Sequence, residues 1–215
     1  MIGFFNYTVI LTYISLLMSV QGIYFTLEGE LLPAMFCLLG SGVCDMFDGM
    51  IARTRKQSTA EEKRFGIQID SLCDIICFGV FPAVLGVRIA TGDALGIPLQ
   101  VAAGISGGLF VLCALIRLAY FNVTEETRQS VEGGNRKAYA GVPVTTVALV
   151  FPLIYALSPF LHTGVMPWMY VAFLLISAIA FVTPVRVPKP GTVGKCVMGV
   201  IGCGEVGLLL YQLLG

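Results

Sequence analysis

Seven apolar stretches, each close to the length of a membrane-spanning helix, constrain the fold of this chain more than any other feature. An α-helix needs roughly 20 mostly apolar residues to cross the hydrocarbon core of a bilayer. The last stretch is glycine-rich and contains Glu205, so it fits both a full crossing and a helix packed against the bundle. The predicted spans are Phe4–Phe25, Leu31–Ala52, Gly66–Val87, Leu99–Phe121, Gly141–Phe160, Met166–Val185 and Cys196–Leu214.

The composition places the whole chain in a membrane. Only 12% of its 215 residues are charged and its mean hydropathy is +0.88, whereas soluble domains are about 25% charged. We therefore predict an all-α fold, a polytopic membrane helix bundle, with residues 1–215 forming a single integral membrane domain. The first stretch has no basic segment and no cleavage site, so we expect it to be retained as a span. The formal net charge of zero argues against a nucleic-acid partner.

The basic residues predict how the bundle is oriented. Of the 13 Lys and Arg residues, 12 lie within the three segments that join spans two to three, four to five, and six to seven, or near the span ends that lead into them, and only Arg88 lies on the opposite side. Basic loops tend to face the cytoplasm, so we expect these segments and the N-terminus to be cytoplasmic, in the cell membrane of a prokaryote. Two of the segments, Thr54–Phe65 and Asn122–Lys137, are polar and predict solvated connecting loops.

Four aspartates stand beside or within the apolar stretches, Asp45 and Asp48 near the end of the second and Asp70 and Asp74 near the start of the third. Spacings of three and four residues place each pair on one helix face, and two antiparallel helices would bring these faces together. Ionisable groups are costly in a membrane and mark functional sites by default. Four such charges require either protonation of some carboxyl groups or cations between them. Aspartate oxygens suit Mg²⁺ or Mn²⁺, and a pair of such ions clamps phosphoryl oxygens, so the spacing predicts phosphoryl-transfer chemistry.

Small residues and one arginine accompany the aspartates. Gly49 and Ala52 continue the helix face beyond Asp48, where a missing or short side chain would let a flat ligand approach the backbone. Arg53 adds a guanidinium suited to a phosphate or a base edge, and Gly66 offers similar room on the other helix. Taken singly, each small residue also fits ordinary helix packing and Arg53 also fits an interfacial anchor.

The complete motif resembles the signature of the CDP-alcohol phosphatidyltransferase family. It reads Asp45-x-x-Asp48-Gly49-x-x-Ala52-Arg53, then twelve residues, then Gly66-x-x-x-Asp70-x-x-x-Asp74. All eight fixed positions of the family signature are present. The family gap has eight residues, so four additional residues lie within Thr54–Phe65.

This resemblance implies a fold, a ligand set and roles for the motif. The implied fold is a six-helix core over about residues 1–187, followed here by an extra helix over about 192–214, and the core is implied to be dimeric. Asp74 is the implied base for the acceptor hydroxyl. Two divalent cations, Mg²⁺ or Mn²⁺, would be held by Asp45, Asp48, Asp70 and Asp74. The CDP-linked lipid would be bound by Asp45, Asp48, Gly49, Ala52, Arg53, Gly66 and Asp70.

Three further segments resemble the phosphatidylserine synthase branch of the family, namely Asp70–Ala83, Arg117–Asn122 and Gly141–Pro143. The branch implies transfer of a phosphatidyl group from CDP-diacylglycerol to the hydroxyl of L-serine among membrane lipids, giving phosphatidylserine and CMP. Serine would need a cation for its carboxylate, which a guanidinium can bind with two hydrogen bonds. The candidate residues for binding serine are Arg117, Asn122, Lys137 and Tyr139.

Two alternatives stay open at this point. The same chemistry could use a phosphorylated acceptor such as glycerol 3-phosphate or inositol phosphate, for which Arg128, Arg136 and Lys137 could supply positive charge. The aspartates could instead line the path of a divalent-cation transporter, although transporters tend to place such charges near the bilayer midplane.

Overall fold

The chain folds into a bundle of helices, as predicted. The computed structural model describes residue 3 and residues 7–52, 54, 59–92, 96–131, 138–160, 164–188 and 192–214. A π-helical turn, Ile75–Val80, joins the third and fourth α-helices, and 3₁₀ turns cover Tyr7–Val9, Val144–Thr146 and Ser158–Phe160. The α-helices are α1 (Ile10–Glu28), α2 (Leu31–Ala52), α3 (Ala60–Asp74), α4 (Phe81–Ala90), α5 (Ile97–Val131), α6 (Val147–Ala156), α7 (Met166–Val182) and α8 (Thr192–Leu214).

Helices occupy all seven predicted spans. Two of them, Val144–Ala156 and Met166–Val182, are apolar but shorter than the others. Since the last predicted span forms a helix of the required length, its length and composition suffice for a full crossing. Within the described residues, five helices are long and apolar enough to cross a membrane, namely Tyr7–Glu28, Leu31–Ile51, Ala60–Ala90, Ile97–Thr127 and Val197–Leu214.

The third span is longer than predicted. α3, the π-helical turn and α4 form one continuous rod, Ala60–Ala90, of 31 residues, about 46 Å at 1.5 Å per residue. Its start is fixed by a capping box, in which the Glu62 N–H donates to Thr59 Oγ1 (3.1 Å) and the Thr59 N–H donates to Glu62 Oε2 (3.0 Å). The prediction of a loop over Thr54–Phe65 is therefore wrong from Ala60 onward.

The predicted loop Asn122–Lys137 is wrong up to Val131, because α5 continues through that residue. The extension is polar, and Arg64 of the rod pairs with Glu126 across 3.4 Å, with both side chains exposed. Residues 132–137 lie outside the described part of the chain.

The fifth predicted span is interrupted. Gly141 has a φ of +80°, and a Cβ there would lie 3.1 Å from the Phe181 carbonyl oxygen, so the position favours glycine. The chain then passes through a 3₁₀ turn into α6, which has only ten residues and contains Pro152. Beside this bend, strand β1 (Ala138–Ala140) pairs antiparallel with β2 (Arg186–Pro188), a two-stranded exception to the all-α prediction.

Two kinds of packing hold the bundle together. Around α4, α5, α6 and α7 the core is aromatic. The Phe151 and Tyr170 rings meet edge to face at 5.2 Å, and the Tyr170 hydroxyl donates to the Phe151 carbonyl at 3.0 Å. Between α1 and α2 the contact is made by small residues, which permit close helix approach in a membrane. The buried seam of α1 consists of Thr12, Ser15, Ser19, Gly22 and Thr26.

Candidate active site

The four aspartates converge between α2 and the rod. Their carboxyl groups pair crosswise, with Asp45 within hydrogen-bonding reach of Asp74 and Asp48 within reach of Asp70. This crossing is what two antiparallel helices with i,i+3 and i,i+4 spacings produce. One carboxylate oxygen from each of Asp45, Asp70 and Asp74 lies within 4.8 Å of the other two.

This set of donors fits a divalent metal. Three hard oxygens at that separation can coordinate one ion of the Mg²⁺ or Mn²⁺ type. Within the described part of the chain, no Lys or Arg forms an ion pair with any of the four carboxylates. Closely spaced carboxylates repel one another when they are ionised, so the arrangement suits cations bound between them.

Asp48 lies beside this trio and is less exposed to solvent than Asp45, Asp70 and Asp74. Its side chain is only 9% exposed, and its Oδ2 accepts a hydrogen bond from the Thr12 hydroxyl of α1 at 3.3 Å. The backbone N–H of Gly49 also donates to the Asp48 carboxylate. Thr12 was not among the residues predicted from the sequence, because only the packing of α1 brings it to α2.

A π-helical turn begins directly after Asp74. It covers Ile75–Val80, and the N–H of Phe81 donates to the carbonyl of Ile76, five residues earlier. The extra residue in this turn changes the register between Asp74 and α4, and such turns are frequent at functional sites. Gly79 lies within this turn, where a Cβ would lie 2.7 Å from the Ile75 side chain.

Open space adjoins the aspartates at both predicted glycines. Among the described residues, a Cβ added to Gly49 or Gly66 would meet no heavy atom within 4 Å outside the nearby backbone of its own helix. Gly66 precedes Asp70 by four residues, so this space lies on the helix face of the carboxylates. Arg53 lies outside the described residues, as does the side chain of Ala52.

The candidate residues for the acceptor fall in different places. Asn122, at the point where α5 becomes polar, exchanges hydrogen bonds with Ser71, which follows Asp70 in the rod. Arg117 is 7% exposed; its Nε–H donates to the Val142 carbonyl at 2.9 Å and its guanidinium lies over the Phe121 ring at 5.2 Å. The structure thus places Asn122 against the rod that carries Asp70 and Asp74. Arg117 is instead hydrogen-bonded to the bend that precedes α6.

The other two candidates give less information. Tyr139 lies on β1, where its backbone pairs with that of Val187, and its side chain is outside the described part. Lys137 is outside the described residues altogether.

The comparison with known protein families decides where the chain belongs. A profile described as CDP-alcohol phosphatidyltransferase matches residues 5–183. This chain belongs to the CDP-alcohol phosphatidyltransferase family. The match contains all four aspartates and ends before α8, so α8 lies outside the matched region. The predicted family resemblance is confirmed.

Individual relatives carry names that specify serine. The chain is 35% identical over 156 residues to the CDP-diacylglycerol–serine O-phosphatidyltransferase of Saccharomyces cerevisiae, covering 66% of this chain and 52% of the relative. It is 26% identical over 177 residues to the enzyme of the same name from Helicobacter pylori, covering 81% and 68%. It is 30% identical over 183 residues to the archaetidylserine synthase of Methanothermobacter thermautotrophicus, covering 85% and 66%. The matches thus span about half of the yeast relative and about two thirds of the other two.

Proposed function

We propose that this chain catalyses phospholipid biosynthesis, transferring the phosphatidyl group of CDP-diacylglycerol to the hydroxyl of L-serine with release of CMP. The observation that carries this proposal is the convergence of Asp45, Asp70 and Asp74 inside the family-matched region. The choice of serine is supported by the relatives, whose names differ in the lipid group but share serine as the acceptor.

The proposed reaction is a displacement at phosphorus. The serine hydroxyl oxygen forms a bond to the phosphorus on the lipid side of the pyrophosphate, and the bond from that phosphorus to the bridging oxygen breaks. The leaving CMP takes the electron pair of the broken bond. The proton of the serine hydroxyl passes to a carboxylate, which we assign to Asp74, since an alcohol attacks efficiently only as its proton is removed.

The chain's own residues divide the remaining tasks. Two divalent cations, Mg²⁺ or Mn²⁺, held by Asp45, Asp48, Asp70 and Asp74 would neutralise the pyrophosphate charge when bound. The open space at Gly49 and Gly66 would admit the CDP moiety against the backbone, with Ala52 and Arg53 completing that pocket.

We assign the serine-binding side of the site to the end of α5. Asn122 is held against Ser71, one residue from Asp70, so it lies on the flank of the carboxylates. Arg117, Lys137 and Tyr139 are proposed as further contacts of the serine carboxylate and ammonium groups. We also propose that this side of the bundle faces the cytoplasm of a prokaryotic cell and that the protein acts as a homodimer.

The deciding experiment is a transfer assay with the purified protein in detergent. CDP-diacylglycerol, Mn²⁺ and radiolabelled L-serine are incubated with the wild-type protein and with Asp70→Asn as the inactive control. We expect labelled phosphatidylserine and an equal amount of CMP from the wild type only. Labelled lipid from glycerol 3-phosphate or inositol phosphate but not from serine would contradict the proposed acceptor, and Mn²⁺ flux into liposomes without CMP release would contradict the enzyme.

A further inference from the structure

α1 packs against both helices that carry the aspartates, although it contributes no aspartate to the site. It packs along α2 and also contacts α3 and the π-helical turn. Its buried seam presents hydroxyl groups to both of the helices that carry the aspartates. The nearest of these to the site is Thr12, which is 5% exposed and donates to Asp48 Oδ2 at 3.3 Å.

The contact with Thr12 constrains the orientation of a buried carboxylate. Asp48 accepts a hydrogen bond from the Thr12 hydroxyl at 3.3 Å, and the N–H of Gly49 and the carboxyl group of Asp70 lie within hydrogen-bonding reach of its carboxylate. A carboxylate that is held by a fixed donor presents its remaining lone pairs in a defined direction. Groups that orient a metal ligand in this way typically change metal affinity 10- to 100-fold when they are removed.

A second hydroxyl of α1, that of Ser15, contacts both α2 and the rod about one helical turn further from the site than Thr12. Ser15 Oγ lies 2.7 Å from Ser41 Oγ of α2 and 3.5 Å from Cys77 Sγ of the π-helical turn. Cys77 follows Asp74 by three residues, and Ser41 precedes Asp45 by four. Ser15 therefore joins α2 to the rod beneath the Asp45–Asp74 pair, while Thr12 acts at the level of Asp48.

We infer that Thr12 is a positioning residue, which holds the Asp48 carboxylate in the orientation that binds a divalent cation. This inference rests on the proposed function, since it assigns a task to α1 at the same site. It concerns metal binding, however, and can be measured without any acceptor alcohol.

The test uses three variants of the full-length protein. Thr12→Val removes the hydroxyl and preserves the shape, whereas Thr12→Ser keeps the hydroxyl. Thr26→Val is the matched control, because Thr26 is also buried on α1 but donates to the Gly22 carbonyl of its own helix. Binding of Mn²⁺ alone is measured by the loss of the electron paramagnetic resonance signal of free Mn²⁺, and folding by thermal unfolding in the same detergent.

We expect Thr12→Val to raise the Kd for Mn²⁺ about 10-fold, with Thr12→Ser and Thr26→Val within about twofold of wild type. The inference is overturned if Thr12→Val binds Mn²⁺ as wild type does, if Thr26→Val loses as much affinity, or if the wild type binds no Mn²⁺. Should Thr12→Val fail to fold, failure of Thr12→Ser to keep wild-type affinity would overturn it. If the transfer assay yields no serine lipid while these Kd values hold, the proposed acceptor fails and the role of Thr12 stands.

Discussion

Ser71 and Asn122 exchange two hydrogen bonds between the rod and α5. The Asn122 amide Nδ2 donates to Ser71 Oγ at 2.8 Å, and the Ser71 hydroxyl donates to Asn122 Oδ1 at 3.1 Å. Since Ser71 follows Asp70 directly, this pair couples the polar end of α5 to the position of an aspartate of the site.

The two members of this pair should not be equivalent in catalysis. Ser71→Ala removes only the link between the helices, worth about 1 kcal/mol, and should lower kcat/KM for serine about fivefold. Asn122→Ala removes the same link together with the serine contact we propose, so it should lower kcat/KM further and raise KM for serine. Steady-state transfer assays at varied serine concentration measure both effects. If kcat/KM fell equally in Ser71→Ala and Asn122→Ala, and no further in the variant that carries both substitutions, Asn122 would have only a structural role.

Asp74→Asn tests the proposed role of Asp74 as the base. The amide cannot accept the serine proton at neutral pH, so we expect the rate of CMP release to fall by at least about 10²-fold. Binding of CDP-diacylglycerol should persist in part, because Asp45, Asp48 and Asp70 remain. Asp48→Asn is the comparison, and it should weaken Mn²⁺ binding itself. Turnover of Asp74→Asn at the wild-type rate would refute the assignment of the base.

The sequence predicted the helices and the convergence of the aspartates for simple physical reasons. Apolar runs of span length satisfy their backbone hydrogen bonds in a membrane by forming helices. The approximate positions of all seven helices could therefore be predicted. Asp45 and Asp48, like Asp70 and Asp74, share a helix face because of their spacing alone, so this prediction did not depend on how the helices pack.

Features that depend on local hydrogen bonds or on distant partners were missed. Polarity predicted loops at 60–65 and 122–131, yet charged residues also form helices, and Thr59 with Glu62 supplies a start signal that sequence inspection can recognise. The π-helical turn after Asp74 and the Thr12–Asp48 contact depend on side-chain packing between helices, which hydropathy does not report.

Arg117 provides a test of a structural role against a direct role in serine binding. Arg117→Lys keeps the charge but loses the Nε–H that donates to the Val142 carbonyl and the planar group over Phe121. We expect the free energy of unfolding to fall by about 1.5–3 kcal/mol, the range for hydrogen bonds of charged groups. Thermal unfolding measures this loss, with Arg88→Lys in α4 as the control. A raised KM for serine with unchanged stability would instead show that the guanidinium serves the substrate alone.

Glu205 of α8 gives a prediction for the part of the chain beyond the family match. Its side chain is 1% exposed, and neither carboxylate oxygen has a hydrogen-bond partner within the described residues. α8 packs against α6 and α2, and Gln212 donates from Nε2 to the Ala156 carbonyl at 2.9 Å. An ionised carboxylate inside a membrane helix costs about 2.5–3.5 kcal/mol, whereas a glutamine of the same shape carries no charge.

We therefore expect Glu205→Gln to leave the stability of the protein equal or higher and its transfer activity unchanged. Gln212→Leu is the control, because it removes a hydrogen bond that α8 does make, and it should lower the Tm. Both variants are measured by thermal unfolding in lipid nanodiscs, with CMP release as the activity readout. A large loss of stability in Glu205→Gln would mean that the carboxylate has a partner in the remaining parts of the chain or in a second copy, and would overturn the expectation that its charge is dispensable.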